Sequence, residues 1–125
     1  MKKQRIAVPS IGEGGLDGHR AGHFGPGDVF TCVDTEDGKI VNVYTIENQE
    51  HVQGGCLVPV NLLAENQVTS LIVDGIGFRP LMGFRHLGIE VYHDSEQQAI
   101  KPLIEDLLAG KLPRIIDDQV CGGSQ

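Results

Sequence analysis

Ser70-Leu71-Ile72-Val73-Asp74 runs straight into Gly75-Ile76-Gly77, an apolar segment too short for a helix and closed by two glycines. Such a run reads as a strand buried on both faces, and a doubly buried strand needs helices on either side of its sheet. The flanks supply them. Upstream, Cys56 to Asn66 is helical from Leu57 or Val58, because Pro59 fits only a first turn, where its missing N–H is not required. Downstream, Pro80 opens and Gly88 closes a second helix from about Arg79 to Leu87. Ile89 to His93 is the fifth strand. Ser95 and Gln98 then match a capping box for a third helix reaching Gly110, with Ala99, Ile100, Leu103, Ile104, Leu107 and Leu108 on one face. Pro102 inside that helix requires a kink or a start nearer Lys101.

Three strands precede this alternating half. Arg5-Ile6-Ala7-Val8 is ended by Pro9 and Ser10, while Asp28 to Asp34 and Lys39 to Ile46 are joined by the turn Thr35-Glu36-Asp37-Gly38. The order βββαβαβα predicts an α/β fold: a mixed five-stranded sheet with strand two antiparallel, strands four and five parallel, and three helices on its faces. Residues 1–110 form a single domain and 111–125 a loose C-terminal tail. With strand one running up, strands three, four and five also end at the top. The loop after strand one, Asn48 to Cys56, Gly75-Ile76-Gly77 and Asp94-Ser95 therefore share one edge, where open α/β sheets bind ligands.

The loop after strand one, Gly12 to Gly25, holds six glycines in fourteen residues. That composition suits neither helix nor strand, and it lets backbone N–H groups approach a ligand closely. His19, Arg20 and His23 add donors or nitrogen ligands, and Gly14, Gly15, His51, Gly54, Gly55, Cys56, Gly75, Gly77 and Arg79 complete the candidate site. Cys56, at a helix N-terminus, is expected to ionise readily and is, with His23, the candidate metal ligand. Sulfur and imidazole beside backbone donors suit a transition metal or a metal sulfide. Two readings compete with this one: a regulatory module holding a phosphate-containing small molecule on the same N–H groups, and a surface loop whose histidines are idle.

Composition narrows the classes. The 125 residues carry 10 Lys+Arg against 17 Asp+Glu, a formal net charge of −7, which argues against nucleic acid and anionic membranes as partners. No apolar run is long enough to span a bilayer, and the basic start Met1 to Arg5 lacks the hydrophobic region of a signal peptide, so a cytoplasmic monomer is expected. Cys32, Cys56 and Cys121 are odd in number and form no CxxC pair, against a disulfide framework, and Cys32 fits the core of its strand. Two-metal nuclease chemistry needs clustered carboxylates, typically with one on strand one, and strand one has none.

Ile6-Ala7-Val8-Pro9, Gly15-Leu16-Asp17, His23-Phe24-Gly25, Phe30, Asn48, Gly54-Gly55 and Asp74-Gly75-Ile76-Gly77 together resemble the dinitrogenase iron-molybdenum cofactor biosynthesis family over about residues 5–110. The resemblance implies a ribonuclease H-like fold and noncatalytic binding or carriage of a metal–sulfur cluster, of iron-molybdenum or molybdenum-copper sulfide type. It also implies cluster donor and acceptor proteins as partners and an anaerobic host. By position, the family's histidine loop maps to His23 and its glycine pair to Gly54 and Gly55. Arg20, His51 and Cys56 are candidates from residue chemistry alone.

Overall fold

Hairpin geometry sets the first half of the sheet. In the computed structural model, which describes residues 3–21, 29–47, 57–94 and 99–115, β2 (Val29–Glu36) turns into β3 (Lys39–Glu47) through Asp37 and Gly38. Their φ values of 52° and 84° give the two-residue turn whose twist matches that of antiparallel strands. β1 (Lys3–Ser10) pairs antiparallel with β2 from Lys3↔Glu36 to Ser10↔Val29. Pro9 does not end this strand, as its lack of an N–H had suggested. Its carbonyl accepts from the Ala21 N–H on the side away from β2, beyond Ala7, where the ladder to the next strand has already stopped.

On that side β4 (Ser70–Val73) pairs parallel with β1, and β5 (Glu90–His93) pairs parallel with β4, giving the order β3-β2-β1-β4-β5. This is the mixed five-stranded α/β sheet expected, in an order compatible with the ribonuclease H-like arrangement. Alternation along the strands divides the core. Ala7, Phe30, Cys32, Leu71 and Val91 face α1 (Leu57–Glu65) and α2 (Phe78–His86) through Val60, Leu63, Leu81 and Phe84. Ile6, Val8, Val33 and Ile72 face α3 (Ile100–Leu108) through Ile100, Leu103 and Ile104. All four residues of β4 are buried, as a strand covered on both faces must be. Cys32 is core, and burial pushes its thiol up to about 11.

Two expectations are corrected. α3 starts at Ile100 with Ala99 at its N-cap, later than the box implied, and Pro102 lies in the first turn where no N–H is needed; Ser95 and Gln98 lie outside the described residues. The segment after Gly110 is not loose as far as Ile115. The N–H of His93 donates to Pro113 O at 2.8 Å, that of Ile115 donates to Val91 O at 2.9 Å, and Ile115 is buried against the α1–α2 layer. This short pairing covers the outer edge of β5. Residues 116–125 lie outside the described residues.

Candidate functional site

β1, β3, β4 and β5 all end on one edge of the sheet, as the strand directions require. The glycine loop begins there, anchored by a chain of hydroxyls. Ser10 Oγ donates to Val8 O at 2.8 Å and lies 2.8 Å from Thr31 Oγ1, which accepts the Gly15 N–H at 3.0 Å. Each hydroxyl has one proton, so the Thr31 hydroxyl donates to Ser10 and the chain has a single direction. The loop also closes on itself, with Ile11 N–H donating to His19 O at 3.1 Å and Gly18 N–H to Gly15 O at 3.0 Å. Its carbonyls at Gly18 and Leu16 accept from the N–H groups of Ile100 and Lys101, which open α3. The first-turn donors of α3 are thus satisfied by the loop.

Gly14 and Gly18 therefore have structural work. A Cβ on Gly14, whose φ is 70°, would sit 2.6 Å from Thr31 Oγ1 and 2.8 Å from Val29 Cγ2, and one on Gly18 would sit 2.8 Å from Gly14 O. Gly15 has open space around it, but its N–H is taken by Thr31. Glycine content alone suits ligand approach, but close packing on Thr31 accounts for Gly14, and the loop's own turn accounts for Gly18.

Arg20 likewise differs from expectation. Its side chain is 1% exposed, and its guanidinium donates to Ala21 O at 3.0 Å and to Asp94 Oδ2 at 3.3 Å. Arg20 Nη1 stands 3.8 Å from Asp74 Oδ2, and Arg20 Nε is buried with no hydrogen-bond partner. Arg20 thereby ties the loop to the ends of β4 and β5. Asp74 itself is 40% exposed on its side chain, with Oδ1 3.7 Å from His93 Nε2. His93 was not singled out from sequence, although the strand directions that place Asp94 on this edge place His93 there too.

Of the other expected site residues, His19 is exposed and pairs through its backbone with Ala99. Gly75 is buried, Gly77 is the N-cap of α2, and Arg79 is exposed in its first turn. Phe78 N–H and Arg79 N–H lie where a helix offers no carbonyl of its own. His23, His51, Gly54, Gly55 and Cys56 lie outside the described residues, so the proposed ligation by Cys56 and His23 does too. Among the described residues no group of three His, Cys, Asp or Glu side chains is placed to hold a metal ion, and no helix is long and apolar enough to cross a membrane.

A second polar cluster lies away from this edge. At the opposite end of β1, Arg5 grips Asp34 with two hydrogen bonds of 2.6 and 3.1 Å, donates to Asn66 O at 2.7 Å and lies 5.5 Å from the Tyr44 ring centre. The guanidinium holds the Asp34 carboxyl below the usual range, while burial raises Tyr44 to about 12. These residues are partnered with one another, which makes them a structural clamp.

Comparison with known proteins decides the family. The model of the dinitrogenase iron-molybdenum cofactor family matches residues 2–110. The chain belongs to that family. It is 32% identical over 117 residues to the uncharacterized protein MJ0580 of Methanocaldococcus jannaschii, covering 91% of this chain and 93% of that one. The apo form of the orange protein from Desulfovibrio gigas superposes with a TM-score of 0.79 at 25% identity, over 90% of this chain and 92% of that one. The crystal structure of PH0822 gives 0.76 at 28% identity, over 91% and 98%. Membership supports a role related to a metal-containing cofactor.

Proposed function

We propose that this protein binds and carries a metal–sulfur cluster, of iron-molybdenum or molybdenum-copper sulfide type, without catalysing its conversion. The observation that carries the reading is the convergence on one sheet edge of the α2 N-terminus, the exposed His19 and Arg79, and the glycine loop, in a chain of the iron-molybdenum cofactor family. Unpaired N–H groups at a helix start, with a guanidinium beside them, suit the sulfur atoms of an anionic cluster. The hydroxyl chain and Arg20 hold that edge in place beforehand, which lowers the ordering cost of binding. Cys56 and His23 are the proposed direct ligands. A structure of the orange protein described as an apo form accords with a bound state in that relative.

The test is anaerobic purification of the full chain, or its reconstitution with thiomolybdate and copper or iron. Elemental analysis and the visible spectrum are then recorded. Stoichiometric metal and sulfide with charge-transfer absorption support the reading. A colourless, metal-free protein that is instead thermally stabilised by phosphate-containing compounds overturns it.

A further inference from the structure

Asp74 and His93 stand side by side at the carboxyl ends of β4 and β5, and their nearest atoms, Asp74 Oδ1 and His93 Nε2, are 3.7 Å apart. That is too long for a hydrogen bond. It suits two ligands of one metal ion: groups each ~2.1 Å from a cation and separated by this distance subtend about 120° at it, close to tetrahedral or trigonal values. The surroundings serve the same purpose. Asp74 is 40% exposed, so an ion can reach it, and its other oxygen lies 3.8 Å from Arg20 Nη1. Arg20 is in turn held by Asp94, so a fixed, buried positive charge stands beside the Asp74 carboxylate without a hydrogen bond to it. The two carboxylates around Arg20 leave this corner without excess positive charge.

From this geometry we propose that Asp74 and His93 form a two-point site for a divalent transition-metal ion. Imidazole with carboxylate selects zinc, copper or nickel over calcium or magnesium, which favour all-oxygen sites. Among the described residues no third such side chain joins the pair. The ion's other positions go to water or an incoming sulfur ligand, so binding is weak and exchange is fast. The site is independent of the cargo reading, because it requires only the bare ion.

Titration of the full chain with Zn²⁺, followed by calorimetry and histidine-selective NMR, tests it. One ion should bind at this pair, apart from any held by Cys56 and His23, with the His93 imidazole signals shifting, and Asp74→Asn and His93→Gln should each weaken that binding step at least tenfold. His86→Gln, at the exposed end of α2, should leave it unchanged. If Asp74→Asn perturbs folding, His93→Gln and the wild-type NMR titration decide. Unaltered affinity in His93→Gln, His93 signals that do not move at saturating Zn²⁺, or no binding at all overturns the proposal.

Discussion

Replacing Gly14 by alanine tests whether the glycine loop is packed down before any ligand arrives. Two costs arise at this position. A left-handed φ of 70° costs a non-glycine residue about 1–2 kcal/mol. The new Cβ would also press on Thr31 Oγ1 at 2.6 Å and Val29 Cγ2 at 2.8 Å, and Thr31 is fully buried and already bonded to Ser10 and Gly15, so it cannot swing away. Overpacking of this kind costs about 1–3 kcal/mol. Gly14→Ala should therefore lose roughly 3 kcal/mol, a fall in Tm on the order of 10 °C for a domain of this size. Gly12 and Gly15 are the internal controls: their φ values of 65° and 88° are equally left-handed, but nothing lies within 4 Å of a Cβ there. Alanine at either should cost only about 1–2 kcal/mol. Urea unfolding of the three variants measures the difference. Equal losses at Gly12, Gly14 and Gly15 would refute the packing of the loop on Thr31.

Ile115→Ala should destabilise the domain by about 2–4 kcal/mol in the same assay, because the side chain is buried in the α1–α2 layer; a change below about 0.5 kcal/mol would mean that the segment after Gly110 does not dock. The Arg5–Asp34 clamp predicts a definite pH dependence. Asp34 has a folded-state pKa below its unfolded value, so its contribution is complete above about pH 4 and is lost as pH falls through the depressed value, a slope that Asp34→Asn should flatten in an acid titration of stability. Cys32, buried and with its thiol raised to about 11, should resist thiol reagents at pH 8 in the folded protein and react only on unfolding, as mass spectrometry of the labelled peptide would show.

Much of the architecture was legible because it rests on local signals. Asp37-Gly38 fixes the hairpin, the apolar run Leu71-Ile72-Val73 of β4 demands helices on both faces, and Pro80 marks the start of α2. Signals that depend on distant partners misled. Ser95 and Gln98 form a plausible box, but the loop carbonyls of Leu16 and Gly18 cap α3 from far away in sequence. Nothing in Pro113-Arg114-Ile115 announces a strand, since its pairing exists only where the edge of β5 is open to receive it. The shared strand edge was legible; the arrangement of side chains on it was not. Chain directions gave the edge, whereas the burial of Arg20 and the meeting of Asp74 with His93 depend on how the loop folds back. Gly14 looked like a ligand-approach residue because close packing and ligand approach ask the same thing of a backbone.

The most direct test of the account is amide hydrogen exchange on the full chain with and without a reconstituted metal–sulfur cluster. The Gly15 amide is already bonded to Thr31 Oγ1 of β2 and the Gly18 amide to Gly15 O within the loop, so both should be protected in both states, while Phe78 and Arg79, at the start of α2, should exchange fast alone and slow markedly when the cluster is bound. Protection appearing at the Asp37-Gly38 turn on the opposite edge, with Gly75 to Arg79 unchanged, would contradict the placement of the cluster site.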